Sequence, residues 1–241
     1  LYSRAEQFSL MIALNFTLVL QRVSLPALTK NKNDGLKLES VFQRLYKFSA
    51  LLGSLFLFSL AAMADNFTYV VVGKQWMPSA PMLSILAIYS AFPPIIALHQ
   101  NLLQVRGESK LFMRLEVLKT FLSACIVAIA IWIDFYALLG GIVLIGVLSL
   151  GINGYWGSKF LPTYKQFKQI KDTLYYFLIS SFVAFIVFLS SKLAITPSSK
   201  LGIQIAVFTL ISLFLFTFVL KGERQMLKQI VRPSVKNEEQ Q

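Results

Sequence analysis

Lysine and arginine are sorted along this chain with a period of two apolar segments, and this sorting constrains the fold more than any other feature. Seven apolar stretches are separated by short connections. Alternate connections, together with the C-terminal tail, hold 18 of the 23 basic residues: Lys30, Lys32, Lys37, Arg44, Lys47, Arg106, Lys110, Arg114, Lys119, Lys159, Lys165, Lys168, Lys171, Lys221, Arg224, Lys228, Arg232 and Lys236. The other five are Arg4, Lys74, Lys192, Lys200 and Arg22, of which only Arg22 lies inside an apolar stretch. Because cytoplasmic loops of membrane proteins collect Lys and Arg, the alternation predicts seven membrane spans with the connection after residue 29 in the cytoplasm.

The composition supports a membrane protein. The chain is 56% hydrophobic and 14% charged, whereas soluble domains average about 45–50% apolar and about 25% charged residues. A net charge of +12 would suggest nucleic acid as a partner of a soluble protein. Here the basic residues lie beside the spans, where they orient helices and contact anionic headgroups. The expected partners therefore include membrane lipids and exclude nucleic acid, since no basic face with interleaved aromatic residues exists outside the loops.

The predicted fold is an all-α polytopic membrane protein with seven transmembrane helices. The predicted spans are about residues 8–28, 48–64, 82–104, 117–133, 136–156, 174–191 and 201–220, within a transmembrane lobe of residues 1–221, and residues 222–241 form a cytoplasmic tail. About 20 residues at 1.5 Å per residue cross a hydrocarbon core of about 30 Å. The last two spans consist mostly of large apolar residues and are expected to face lipid.

Two interruptions are expected within the apolar stretches. Asp65 is predicted to cap a short interfacial helix over residues 66–72, which Gly73 stops. Pro93 and Pro94 lie in the middle of the third span, where they remove two backbone donors and predict a kink that acts as a hinge or cavity wall. Such a break needs cover from protein or a wet cavity. The fourth and fifth spans, joined at Asp134, are expected to form a tight hairpin.

The chain is predicted to be a fragment that lacks its N-terminal half. It begins at Leu1 rather than Met, no signal-like segment precedes the first span, and an odd number of spans fits poorly with a transporter built from paired repeats. In this reading the first residues lie on the noncytoplasmic side of the membrane and the C-terminal tail lies in the cytoplasm.

Several local motifs resemble one family of membrane proteins, the Wzx-type polysaccharide or O-antigen flippases of the polysaccharide transporter family. These motifs are Tyr2-Ser3-Arg4-Ala5, Gln21-Arg22-Val23-Ser24-Leu25-Pro26-Ala27-Leu28-Thr29-Lys30, Ala64-Asp65-Asn66-Phe67, Gly73-Lys74-Gln75-Trp76, Leu102-Leu103-Gln104-Val105-Arg106-Gly107-Glu108-Ser109 and Leu115-Glu116-Val117-Leu118-Lys119. Their order and spacing are similar to the second half of such a protein over about residues 1–160. Beyond that point only hydrophobicity matches.

The resemblance implies the fold of the multidrug/oligosaccharidyl-lipid/polysaccharide (MOP) superfamily, in which two helical lobes surround a central cavity. The seven spans would form the C-terminal lobe, and the missing N-terminal lobe would be a partner. The implied function is a flippase that moves an undecaprenyl-linked oligosaccharide across the bacterial inner membrane by alternating access, without cofactors and without covalent chemistry on the substrate.

Arg22 is the leading candidate for contact with an anionic substrate, because a cation within a span is costly and usually faces a partner or a wet cavity. Asn15 lies seven residues before it on the same helix face, and Gln21 is its neighbour. These three residues are predicted to bind substrate. The alternatives are that Arg22 snorkels to the cytoplasmic interface or pairs with a carboxylate in the missing lobe.

A second polar group follows the two prolines. Asn101 and Gln104 are predicted to bind substrate, and His99 is a candidate for ion coupling because imidazole titrates near neutral pH. A hydrogen-bonded structural histidine is the alternative. Asp65 is a further ion-coupling candidate, although Asp65 and Asp134 are also expected as helix caps.

Two further observations concern a local ion pair and the absence of enzyme motifs. Glu116 and Lys119 are spaced for a local ion pair, and no metal site is expected. Enzyme motifs such as H-E-x-x-H, C-x-x-C, G-x-S-x-G and the phosphate loop do not occur, so an enzyme is not expected. Two rivals stay open: a drug/cation antiporter of the same fold, which needs acidic residues buried within spans, and a membrane glycan polymerase or ligase, which needs a large periplasmic loop.

Overall fold

The computed structural model describes the backbone of residues 2–215 and 217, and the side chains of residues 16–215 and 217. The regular structure of this part is helical throughout, with eight α-helices: α1 (Tyr2–Lys30), α2 (Gly35–Phe67), α3 (Ala80–Tyr89), α4 (Phe92–Val105), α5 (Ser109–Ile131), α6 (Phe135–Gly157), α7 (Gln166–Ser190) and α8 (Pro197–Phe214). A π-helical turn, Thr68–Val72, and a 3-10 helix, Lys74–Ser79, connect α2 to α3. The predicted tail, residues 222–241, lies outside the described residues.

Five helical segments of the described residues are long and apolar enough to cross a membrane: Gly35–Val72, Lys74–Val105, Phe135–Phe160, Gln166–Leu193 and Pro197–Phe214. The prediction of an all-α polytopic membrane protein is therefore confirmed. The other two predicted spans, on α1 and α5, are not among these five. Helix α5 carries the charged residues Arg114, Glu116 and Lys119 in its first half. Helix α1 lies partly outside the residues whose side chains are described.

Helix α2 is longer than the apolar run that predicted it. It begins at Gly35, where the Asp34 side chain accepts a hydrogen bond of 3.0 Å from the Lys37 backbone amide. It then continues through Asp65 to Phe67 without interruption. The predicted cap at Asp65 is wrong, because the chain stays helical there and passes directly into the π-helical turn. The stop at Gly73 is confirmed, since its φ of 114° is a conformation that side-chain-bearing residues rarely adopt.

The interruption in the third span lies three residues before its predicted position at Pro93 and Pro94. α3 ends at Tyr89, Ser90 and Ala91 form the break, and Phe92 begins α4. Pro93 and Pro94 therefore occupy the first turn of α4. Backbone N–H groups in a first turn have no acceptor within the helix, so prolines there break no helical hydrogen bond. The prolines define the start of a helix rather than distort the middle of one.

Helix α7 packs along α2 and forms part of the interior, so the expectation that the last two spans only face lipid is wrong. Ser54 of α2 and Ser180 of α7 are joined by a hydrogen bond of 2.7 Å. Val183 and Val187 are buried between these helices and α8. On α8, Gln204 is buried and its Oε1 accepts a hydrogen bond of 2.9 Å from Asn66.

Helices α5 and α6 form the predicted hairpin. The Asp134 side chain accepts a hydrogen bond from the Phe135 backbone amide at the start of α6, which confirms its role as a cap. Gly141 permits close contact with α5, since a Cβ there would lie 3.1 Å from Ile126. A Cβ at Gly146 would lie 2.7 Å from the Phe92 ring of α4, so this glycine also permits close contact. The hairpin is thus held against α4 through a small-residue face.

The basic connections that the structure describes meet at one end of the helical bundle. Arg106, after α4, donates hydrogen bonds to the backbone oxygens of Lys32 and Phe160, which belong to the other two connections. Glu39, in the first turns of α2, accepts hydrogen bonds from the backbone amide and hydroxyl of Thr163. This shared end, here called the basic end, is the arrangement that the alternation of basic loops predicts.

Candidate functional site

A group of buried polar side chains lies close to the basic end, where α2, α4 and α7 converge. We define the buried polar cluster as Tyr46, His99, Tyr164, Gln169 and Thr173. All five are buried within an otherwise apolar core. Buried polar groups inside a membrane protein are costly unless they are hydrogen-bonded, and in membrane proteins they often mark functional sites.

His99 is fully buried at the centre of this cluster. Its Nε2 lies 2.9 Å from Gln169 Oε1, and its Nδ1 lies 3.1 Å from the backbone oxygen of Ile95. Glycines of α6 leave room for the imidazole, since a Cβ on Gly157 would lie 2.8 Å from His99 Cδ2. The structure therefore places His99 as a hydrogen-bonded link from α4 to α7, which is the structural alternative weighed for it. Ion coupling by His99 stays a prediction.

Both polar groups of the Gln169 side chain have partners within the cluster. Its side-chain amide donates a hydrogen bond of 3.0 Å to the backbone oxygen of Tyr164 while its carbonyl oxygen faces His99. On the same helix, the Thr173 hydroxyl is 2.7 Å from the Tyr46 hydroxyl. The first two turns of α7 are thus joined to both α4 and α2 by polar contacts.

Tyr164 connects the cluster to the surface of the basic end. Its hydroxyl donates a hydrogen bond of 2.7 Å to Asp172, whose carboxylate also lies 3.6 Å from Lys47 Nζ. Burial raises the pKa of the Tyr164 phenol well above its usual range, and the hydrogen bond to Asp172 acts in the same direction. Tyr164 is therefore a neutral hydrogen-bond donor at physiological pH.

A cavity of about 310 Å³ lies beside the cluster, between α6 and α7. We call it the α6–α7 cavity. Tyr46, Gln166, Gln169 and Thr173 contribute polar groups to it, and the remaining walls are apolar or glycine. A second, more open groove of about 550 Å³ continues along α7 towards Phe188, and the two share Leu174 and Phe177.

The substrate-binding residues predicted on α4 lie in different surroundings. Asn101 is buried and donates a hydrogen bond of 2.7 Å to the Ser24 hydroxyl, so it joins α4 to α1. Gln104 is exposed near the end of α4. The structure therefore does not bring Asn101 and Gln104 together, and the role of each in binding stays a prediction.

The predicted site on α1 faces outwards. Arg22 is exposed on a helix face that also exposes Leu18 and Leu25, and Gln21 is half-buried. Among the described residues, no hydrogen bond or ion pair engages the Arg22 guanidinium. The side chain of Asn15 lies outside the described part of the chain, and only its place on α1 is known.

The other residues singled out in the sequence are not members of the buried polar cluster. Asp65 is exposed two residues before the end of α2. The Glu116–Lys119 ion pair is confirmed, and the Glu116 carboxylate also accepts a hydrogen bond of 2.8 Å from Gln100. No group of three His, Cys, Asp or Glu side chains that could hold a metal ion exists in the described part of the chain.

Sequence reasoning missed the other four members of the cluster, Tyr46, Tyr164, Gln169 and Thr173. Gln169 and Thr173 lie before the apolar run of α7, in a stretch rich in lysine that indicates a loop. A signal was present nonetheless, because the buried residues of α7 recur every three or four positions: Gln169, Thr173, Tyr176, Ser180, Val183 and Val187. That spacing marks one continuous helix face that begins well before the apolar run.

These features define the class of protein: a polytopic helical membrane protein with a hydrogen-bonded polar cluster near its basic end. Comparison with known proteins narrows the class. Residues 1–81, which include α1 and α2, match a family model described as polysaccharide biosynthesis protein. No curated protein and no solved structure matches the chain significantly. Over those residues the chain is similar to proteins of polysaccharide biosynthesis.

Proposed function

We propose that this chain is the C-terminal lobe of a Wzx-type flippase, which moves an undecaprenyl-linked oligosaccharide across the bacterial inner membrane. The observation that carries the proposal is the match of residues 1–81 to polysaccharide biosynthesis proteins, in a chain whose described part has five segments long and apolar enough to cross a membrane. Polysaccharide biosynthesis assembles polar repeat units that need a route across the bilayer, and a bundle of helices with polar interior groups suits that task.

Arg22 is the proposed contact for the anionic part of the substrate. It lies on an outward face of α1 among exposed apolar side chains, and no described residue pairs with it. A guanidinium on a lipid-facing surface would be costly, so this face borders a second helical lobe or a water-filled cavity. A diphosphate that passes along this cavity would neutralise the charge through charge-assisted hydrogen bonds.

The buried polar cluster has a supporting role in this proposal. Alternating access requires helices that move as rigid units, and the His99–Gln169 and Tyr46–Thr173 contacts hold α2, α4 and α7 together at the basic end. The break at Ser90–Ala91 is the place where α3 can change its angle to α4. The basic end lies in the cytoplasm in this arrangement, because it collects the lysines and arginines.

The proposal is tested by deleting the gene in its own cell and restoring it with the genomic sequence that flanks this chain. Loss of a flippase removes the surface polysaccharide and leaves lipid-linked repeat units on the cytoplasmic face of the membrane. Loss of a polymerase or ligase would instead leave repeat units on the outer face. Normal surface polysaccharide in the deletion strain would contradict the proposal.

A further inference from the structure

The turn between α5 and α6 lies outside the packed core, at the end of the bundle opposite the basic end. Ala130 is the last buried residue of α5, and Leu139 is the first buried residue of α6. None of the side chains at positions 131–138 is buried. This turn is therefore a projecting tip, and the proposed transport role does not use it.

The exposed side chains of this turn are large and apolar. Ile131 is 65% exposed, Trp132 is 90% exposed and Ile133 is 70% exposed. Tyr136 follows in the first turn of α6 and is 57% exposed. We call these four residues the hairpin tip. A continuous exposed apolar patch of this kind marks a surface that meets another apolar medium rather than water.

The hairpin tip is exposed in more than one direction. Trp132 ends α5 with helical backbone angles, and successive side chains of a helix point about 100° apart. Ile131, Trp132 and Ile133 therefore point to different sides, and all three are exposed. A neighbouring helix would cover one side only, and helices in membranes meet closely at small residues rather than at large ones. A fluid apolar medium covers every side.

The length of α5 sets the depth of the tip in a bilayer. Arg114 is exposed in the first turns of α5, on the side of the basic end. Trp132 lies 18 positions later, which is about 27 Å of helix at 1.5 Å per residue. The hydrocarbon core of a bilayer is about 30 Å thick. With Arg114 at one headgroup layer, Trp132 therefore reaches the opposite one.

The residue types of the tip suit that depth. Trp and Tyr collect at membrane interfaces, because their rings are apolar while the indole N–H and the phenol O–H reach polar headgroups. The two isoleucines suit the edge of the hydrocarbon core. Asp134, which caps α6 within the same turn, is the charged group that the headgroup layer and its water accommodate.

We infer that the hairpin tip is a membrane anchor that lies in the headgroup layer opposite the basic end, with phospholipid as its partner. Only Leu115 and Ala130 of α5 are buried, so the protein core holds this helix at few points. The lipid contacts of Trp132 at one end and Arg114 at the other therefore fix the depth and tilt of the hairpin. The inference rests on membrane insertion of the bundle and does not depend on the proposed transport.

The anchor is tested by the depth of the Trp132 indole. The protein has three tryptophans, so the variant Trp76→Phe, Trp156→Phe keeps Trp132 alone. It is reconstituted into phosphatidylcholine vesicles whose acyl chains carry bromine either near the headgroup or near the chain end. We expect a greater loss of Trp132 emission with the shallow bromines than with the deep ones.

The matched control places an indole deeper on the same helix. Phe121 is exposed on α5, and it lies about 16 Å along the helix from Trp132, near the middle of the core. In a protein whose three tryptophans are all replaced by Phe, Phe121→Trp should lose more emission with the deep bromines. A Trp132 indole with that same deep preference would overturn the inference.

Two other outcomes would also overturn it. Quenching of Trp132 by iodide in the water, without quenching by brominated lipid, would place the tip in solution. Protection from both quenchers would show that protein covers the tip. Where the double Phe variant does not fold, a nitroxide on Trp132→Cys in the Cys125→Ala protein gives the same depth, from its collision rates with oxygen and with a water-soluble nickel complex.

Discussion

His99 Nε2 lies 2.9 Å from Gln169 Oε1, and this contact joins two helices whose residues are 70 positions apart in the sequence. Both side chains are buried. The Gln169 amide donates a hydrogen bond to the Tyr164 backbone oxygen, and His99 Nδ1 lies 3.1 Å from the Ile95 backbone oxygen. The contact therefore fixes the start of α7 against α4 at the basic end. Its loss would leave a polar group without a partner in the interior.

We predict that Gln169→Leu lowers the free energy of unfolding by about 1–3 kcal/mol, because it leaves His99 and the Tyr164 backbone oxygen unsatisfied. Gln166→Leu, one turn earlier at the rim of the cavity, removes a single hydrogen bond and should cost less than about 1 kcal/mol. Reversible unfolding in mixed micelles measures both. Equal losses for the two variants would show that the cluster contributes no special stability.

A second prediction concerns the glycine that accommodates the imidazole. A Cβ at Gly157 would lie 2.8 Å from His99 Cδ2, and the ring is enclosed on every side. Gly157→Ala should therefore cost about 1–3 kcal/mol through overpacking. Gly140→Ala meets open space on the same helix and should be neutral or slightly stabilising, since alanine favours the helix. Thermal unfolding in detergent distinguishes the two, and a neutral Gly157→Ala would contradict the close packing.

The helices could be predicted from the sequence because long apolar runs and alternating basic loops are local signals. The starts of α2 and α7 could not be predicted, because their first turns are amphipathic and contain lysines. These turns resemble loops in the sequence, and only the structure shows that Glu39 and Gln169 face inwards. The break near Pro93 was predicted, but its position depends on how α4 begins. The buried polar cluster depends on contacts between distant segments, which no local pattern specifies.

The third prediction is the sidedness of the bundle. In a Cys125→Ala background, single cysteines at Asn33, Lys110 and Lys168 should be labelled only from the cytoplasmic face, because these positions share the basic end. Cysteines at Lys74 and Ser198 should be labelled only from the opposite face. A membrane-impermeant maleimide applied to intact cells measures this. Labelling of Lys110→Cys from outside would rule out the proposed orientation.

The fourth prediction concerns Pro93 and Pro94. Because both lie in the first turn of α4, replacing them by alanine removes no steric conflict within a helix but allows α3 and α4 to merge across Ser90–Ala91. We expect Pro93→Ala, Pro94→Ala to leave membrane insertion and abundance unchanged and to reduce export in the complete protein. Substitution of Pro81, at the start of α3 and away from the break, is the control. Unaltered export in the double variant would make the break a packing feature only.

The last prediction tests Arg22. Its guanidinium is exposed on the apolar face of α1 without a partner among the described residues, so it is expected to act on an anionic group outside this lobe. In the complete protein, Arg22→Ala should abolish surface polysaccharide while protein abundance stays normal. Arg22→Lys should retain partial activity, because an ammonium attracts a diphosphate as a point charge but lacks the guanidinium fork. Lys110→Ala, which removes an exposed cation at the start of α5, is the matched control and should export normally. A fall in the abundance of Arg22→Ala would indicate a structural ion pair with another part of the protein, and normal export from a normally expressed Arg22→Ala protein would exclude Arg22 from the transport site.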